Sequence, residues 1–209
     1  MSVAWCIVLL MNEIEQAIAN KGTGILIGHF ANQSPEWHEA RAGIGGSDIG
    51  TIMGVNRYKT RQQLLDERIN GTEPFKANLA MRMGTHFEAG IKTIWAEDNA
   101  TWLSVHETGT WQSAQNPFWK ANPDGIIQWA TGEMGILEIK YSMTATMPPT
   151  WAYQVQWYLM ILGLQRGIIV QCQAQKLIEH VIDADEKLQA QMREAAETFE
   201  IETRFRNGE

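Results

Sequence analysis

From residue 135 to residue 173 the chain writes a strand, a helix and a strand in succession, and this order limits the fold more than any other feature. Gly135–Tyr141 runs apolar with polar residues interleaved. Pro148-Pro149 then opens a helix from Thr150 to about Leu162, and Gly167–Gln173 returns to an apolar, β-branched run. Earlier strands are expected at Thr101–His106, Thr108–Ser113 and Gly125–Trp129, and a later one at Lys176–Ile182. The periodicity before them is helical. Ser34-Pro35 caps a helix, Ser47 follows two glycines and offers a cap for a short helix through Met53, and Thr60–Asn70 is closed by Gly71. Leu79–Asp98 carries an apolar stripe of Leu79, Met83, Phe87, Ile91, Ile94 and Trp95. Residues 20–34 read as a Gly- and Asn-containing connector, and a last helix from Asp183 sets Leu188, Met192, Ala195 and Phe199 on one side. The order predicts an α/β (α+β) fold with a central mixed β-sheet flanked by helices.

Charge narrows the function classes. The 209 residues carry a net charge of −7, which excludes a generic polycation that coats nucleic acid but leaves room for a local basic groove. Residues 41–92 are net positive and residues 179–209 net negative, so the early helices are the better place for an anion. Two cysteines, Cys6 and Cys172, cannot build a disulfide framework, a Cys-only zinc cage or a four-thiolate cluster, and their scarcity points to the cytosol. The first eleven residues are apolar but fall short of the roughly 20 needed to span a bilayer, so a strand or helix packed on the body is expected.

The chemistry concentrates in Asn122-Pro123-Asp124-Gly125 and in Glu138-Ile139-Lys140, fourteen residues after Asp124. Residues two apart on a strand share a face, so Glu138 and Lys140 project together while Ile139 turns to the other side. Paired carboxylates can hold a hard cation such as Mg²⁺, and a nearby ammonium can orient water or neutralise an oxyanion. An acid-x-Lys triplet alone is weak, because exposed ion pairs are common. Asp185-Glu186-Lys187 repeats the pattern at a helix start, where the spacing points the acid and the lysine apart. Two companions raise the first triplet above the second. Glu88 falls on an apolar arc of its helix with Met81, Gly84, Ile91 and Trp95, where a carboxylate needs a cation or a donor. Gln154 sits in an apolar helix near Trp151, Tyr158 and Ile161, where its amide needs a buried partner.

Taken in order, Arg41-x5-Ser47-Asp48-Ile49, Gly84-x3-Glu88, Asn122-Pro123-Asp124-Gly125, Glu138-x-Lys140 and Tyr153-Gln154-x-Gln156 resemble the YqaJ-type viral recombinase family, which includes lambda exonuclease, within the PD-(D/E)xK nuclease superfamily. The resemblance covers about residues 33–165 and implies a PD-(D/E)xK core. It assigns Asp124, Glu138 and the Ile139 backbone carbonyl to an inner metal shell, Glu88 to a second metal, Lys140 to the water and Gln154 to support of the site. Arg41 and Ser47 would hold a terminal 5′-phosphate, with Asn122 standing where the lambda enzyme has a hydroxyl residue. The implied activity is 5′→3′ exonuclease action on linear double-stranded DNA, with Mg²⁺ (or Mn²⁺) in a two-metal site. The implied partners are DNA ends, a single-strand annealing protein and further copies of the chain in a ring-shaped trimer. The setting would be a phage or prophage protein in the bacterial cytoplasm, with no membrane role. An endonuclease on the same core and a catalytically silent DNA-end-binding module are the other readings. One nuclease domain over residues 1–209 is expected, with residues 1–32 an extension of open role and residues 166–209 a strand pair and helix.

Overall fold

A computed structural model describes residues 11–32, 34–71, 79–206 and 208. The apolar N-terminal run, apart from Met11, lies outside the described residues. The five-stranded sheet has the order β2-β5-β6-β7-β8, where β2 is Leu103–His106, β5 Gly125–Trp129, β6 Met134–Tyr141, β7 Arg166–Gln173 and β8 Lys176–Asp183. Only β6 and β7 run parallel, because helix α6 (Pro149–Leu162) carries the chain back between them. The other neighbours are antiparallel, so the sheet is mixed as expected. Pro149 occupies the first turn of α6, and Gly163 ends it in the left-handed conformation that favours glycine.

Alternation along the strands splits the core in two. Ile126, Ile136 and Ile169 face α6, where they join Val155, Trp157 and Tyr158. Helices α3 (Gly46–Ile52), α4 (Arg61–Asn70) and α7 (Glu186–Arg206) add Ile49, Ile52, Leu64, Leu65, Met192 and Phe199 to that side. On the opposite face Ile127, Leu137, Ile139, Ile168 and Val170 pack on Ile91 and Trp95 of α5 (Leu79–Asn99). The stripe read along α5 is therefore half right. Ile91 and Trp95 are buried, whereas Leu79, Phe87 and Ile94 are exposed.

Two expectations near the N-terminus are corrected. The supposed connector contains β1 (Gly24–Gly28), which pairs with β3 (Thr110–Ser113) and, through it, with β4 (Lys120–Ala121) in a second, three-stranded sheet. Before it lies α1 (Glu13–Ala19), capped by Asn12. The second correction concerns α3, whose N-cap is Gly45 and not Ser47, because the Asp48 carboxylate accepts from the Gly45 N–H at 3.0 Å. An acid three residues past the cap satisfies the cap residue's own N–H, a different donor from the one that a hydroxyl at the cap would satisfy. Ser34 does cap α2 (Pro35–Ala40), accepting from the Trp37 N–H.

Candidate active site

The site forms where β5 stops short and β6 runs on. The Asp124 N–H still pairs with the Leu137 carbonyl at 3.1 Å, but its side chain then replaces the missing strand, Oδ2 accepting from the Ile139 N–H at 2.7 Å. The N–H and C=O of one strand residue point to the same edge, so the Ile139 carbonyl opens on the same gap. Glu138 and Lys140 share the face toward α6. Glu138 is 2% exposed, and its Oε1 accepts from Lys140 Nζ and from Gln154 Nε2, each at 2.6 Å. Gln154 Oε1 in turn accepts from Lys140 Nζ at 3.2 Å, and Gln154 Nε2 also donates to the Tyr158 hydroxyl at 2.9 Å. The buried Glu138 Oε2 has no hydrogen-bond partner.

An orphaned carboxylate oxygen in a buried position is costly unless something electropositive meets it. The surrounding charges show the same tension. Burial, followed by the neighbouring Asp124, pushes Glu138 up to about 8. Burial and then Asp124 raise Glu88 to about 7. Asp124 is also raised by its burial, against the pull of Lys140 and the Ile139 N–H. Lys140 is held above its ordinary value: burial works against the charged form, but Glu138 and Asp124 together outweigh it. Among the described residues no three His, Cys, Asp or Glu side chains converge as a ready-made cage. The donors that fit a hard cation are instead mixed: Glu138 Oε2, an Asp124 carboxylate oxygen and a main-chain carbonyl, with Glu88 beside Asp124.

A cavity of about 490 Å³ opens beside these acids, lined in part by Arg41, Glu88, Lys92, Thr110, Asn122 and Asp124. Arg41 stacks on Trp37, its guanidinium carbon 4.2 Å from the ring centre. It has no ion pair among the described residues, and Asp48, one candidate partner, pairs with Arg68 at 2.8 Å. Asn122 Oδ1 accepts from the Thr110 hydroxyl at 2.7 Å. Ser47 is exposed and does not line the cavity. Its neighbour Gly46 does touch the site: a Cβ there would lie 2.5 Å from Tyr158 and 2.9 Å from Gln154.

The structure thus brings Glu88, Asp124, Glu138, Lys140 and Gln154 together, adds Arg41 and Asn122 along the cavity, and leaves Ser47 at its margin. Sequence reasoning missed Lys92, which donates to the Asp124 carbonyl at 3.0 Å and pairs with Glu107 at 2.6 Å. Its position four residues after Glu88, on one helix face, was the available signal. Asp185 behaves as the weak triplet predicts, capping α7 by accepting from the Leu188 N–H.

Comparison with known proteins bears on family and fold. Residues 36–178 match the YqaJ-like viral recombinase domain. The chain belongs to that family. Protein D345L of African swine fever virus (strain Badajoz 1971 Vero-adapted) is 31% identical over 107 residues, which is 48% of this chain but only 30% of the viral protein. In fold the chain is similar to the alkaline exonuclease LHK-Exo of Laribacter hongkongensis, with a TM-score of 0.71 at 22% identity over 84% of this chain and 95% of that one. A phage-related exonuclease from Haemophilus somnus 129PT aligns with a TM-score of 0.55 at 13% identity, over 77% and 93% of the two chains. These likenesses place the fold among PD-(D/E)xK proteins.

Proposed function

We propose that this protein is a divalent-metal-dependent deoxyribonuclease that degrades one strand of linear double-stranded DNA in the 5′→3′ direction. The orphaned Glu138 Oε2, buried beside Asp124 and next to a lysine, is the observation that carries this reading. Asp124, Glu138 and the Ile139 carbonyl would hold the first Mg²⁺ or Mn²⁺, and Glu88 would serve a second. Such a cation supplies an acidified water and charge stabilisation on the scissile phosphate. Lys140, held by Glu138 and Gln154, would donate to the attacking oxygen or to the developing oxyanion. Tyr158 and Gly46 keep Gln154 from moving away.

Arg41 and Asn122 would receive a terminal 5′-phosphate in the cavity, and Ser47 would approach it from the exposed start of α3. The family resemblance supports a closed trimer, a single-strand annealing partner and action in the cytoplasm of a bacterial host. No helix among the described residues is long and apolar enough to cross a membrane. The deciding experiment incubates 5′-phosphorylated linear duplex and covalently closed circles with Mg²⁺. Mononucleotides released from the linear DNA alone support the exonuclease, cut circles support an endonuclease on the same core, and intact DNA in both leaves an end-binding module. Light scattering should report about three times the 23.6 kDa chain mass, and a monomer with and without DNA would remove the ring.

A further inference from the structure

The segment before residue 36 lies outside the matched family domain, yet it forms one wall of the cavity that holds Asp124 and Glu88. His29 and Phe30 line that wall, facing the same space as Arg41 and Asn122. Their position is fixed by a buried clamp. Glu15 of α1 is fully buried and accepts from the Asn12 N–H, the Thr108 hydroxyl, the Gly109 N–H and His29 Nε2, at 3.0–3.2 Å. It thereby ties the end of β1 to the turn before β3. Gly28 and Gly109 meet there backbone to backbone, with no room for a Cβ on Gly109.

Phe30 and Trp37, which both line this cavity, are not equivalent. Trp37 already carries the Arg41 guanidinium on one face and His38 against it edge to face. Phe30 takes part in no ring or cation contact among the described residues, and it packs over Gly28, which presents no side chain. A half-buried aromatic face beside a guanidinium, an amide and two carboxylates is the arrangement that receives a nucleotide: the ring takes the base, and the polar groups take the sugar and phosphate. The cavity volume of about 490 Å³ falls within the roughly 300–1,000 Å³ usual for small-molecule sites.

We propose that the N-terminal segment completes this cavity as a base-stacking subsite, with Phe30 as the stacking face and Glu15 as the residue that holds it in place. The proposal rests on the nucleic-acid reading of the site and names which part of the substrate meets which wall. It accounts for a pocket far larger than a phosphate. It also gives residues 11–32 a role that the matched domain does not supply.

The test is equilibrium binding, which does not depend on cleavage. Deoxyadenosine 5′-monophosphate and deoxyribose 5-phosphate are titrated into the full chain and into F30A and F30W, with melting temperature as the folding control. The base-containing probe should bind the unaltered chain more tightly than the sugar phosphate. F30A should weaken it about five- to a hundred-fold, the scale of losing one base–aromatic stack, and leave the sugar phosphate unaffected. F30W should retain the affinity. Equal binding of the two probes by the unaltered chain, or equal losses for both in F30A, overturns the subsite even if linear DNA is degraded. A base-dependent loss in F30A together with intact linear DNA keeps the subsite and removes the exonuclease.

Discussion

Glu15 and Glu138 are both buried carboxylates, and the fold treats them very differently. Glu15 has a donor for each oxygen: Asn12 and His29 on Oε2, Thr108 and Gly109 on Oε1. Glu138 gathers its donors, Lys140 and Gln154, on Oε1 and leaves Oε2 bare. A carboxylate that is saturated inside the chain is a fastener. One that is left half-satisfied beside two further acids is, on the proposed function, held for a cation. The contrast separates architecture from chemistry more sharply than burial does, because burial alone ranks the two together.

The strongest way to break the comparison is to neutralise each acid in turn. Glu138→Gln or Asp124→Asn should abolish metal-dependent cleavage, and calorimetry should show Mg²⁺ or Mn²⁺ binding lost. Unchanged titrations in both variants would end their assignment as ligands. Glu15→Gln should instead lower the melting temperature, by the equivalent of about 1–3 kcal/mol for a buried hydrogen-bond mismatch, while the cation-induced rise in melting temperature persists.

The same contrast explains what the sequence could and could not reveal. Glu138, Lys140 and Asp124 were legible because strand alternation and a Pro-Asp turn are local rules, and α6 was legible because two prolines mark its start. Gln154 and Glu88 were legible as polar residues out of place on apolar arcs. The Glu15 clamp was not, since its partners Thr108 and Gly109 lie more than ninety residues away. Strand β1 was hidden for a similar reason: three apolar residues between Gly24 and Gly28 read as a connector until β3 supplies the hydrogen bonds. The α5 stripe overreached, because helical spacing shows which side chains share a face and not how wide a face the sheet will cover. Leu79, Phe87 and Ile94 fall outside that width.

Lys140→Ala sharpens the distinction between holding and reacting. It should keep DNA and metal but lose cleavage by at least about 10²-fold, the scale of losing a positioned proton-handling group. Lys187→Ala, in the triplet that caps a helix, should cleave normally. Near-normal turnover in the first variant would remove Lys140 from the mechanism.

A smaller effect is expected at Arg41. Charge-assisted hydrogen bonds contribute about 1.5–3 kcal/mol, so Arg41→Ala should erode the preference for 5′-phosphorylated over 5′-hydroxyl ends by roughly ten- to a hundred-fold. A fall in melting temperature with end preference intact would make Arg41 a packing partner of Trp37 instead.

The mildest test is pH. Glu88 and Glu138 sit above their ordinary 4.5, at about 7 and about 8, so the native state retains protons that the unfolded chain has released. Their contribution to stability is therefore greatest at low pH, falls between about pH 4.5 and 8, and levels off above. In the presence of chelator, the melting temperature of Glu138→Gln should decline less over that range than that of the unaltered chain. Parallel profiles would show that the strain at Oε2 is relieved in some other way.

On the proposed function, Gly46 carries a consequence for how distances are measured in the site. Where α3 meets Gln154 and Tyr158, the contact is main chain against side chain with no Cβ between them. Rotamer changes on the α3 side therefore cannot absorb a displacement there. On the proposed function, the helix whose start would bring Ser47 toward the strand end is held at a fixed gauge from Gln154, which supports the groups that cut the bond. The distance from end to incision is then a property of the backbone, and the length of each released fragment follows from it in the way a die fixes the size of what it stamps.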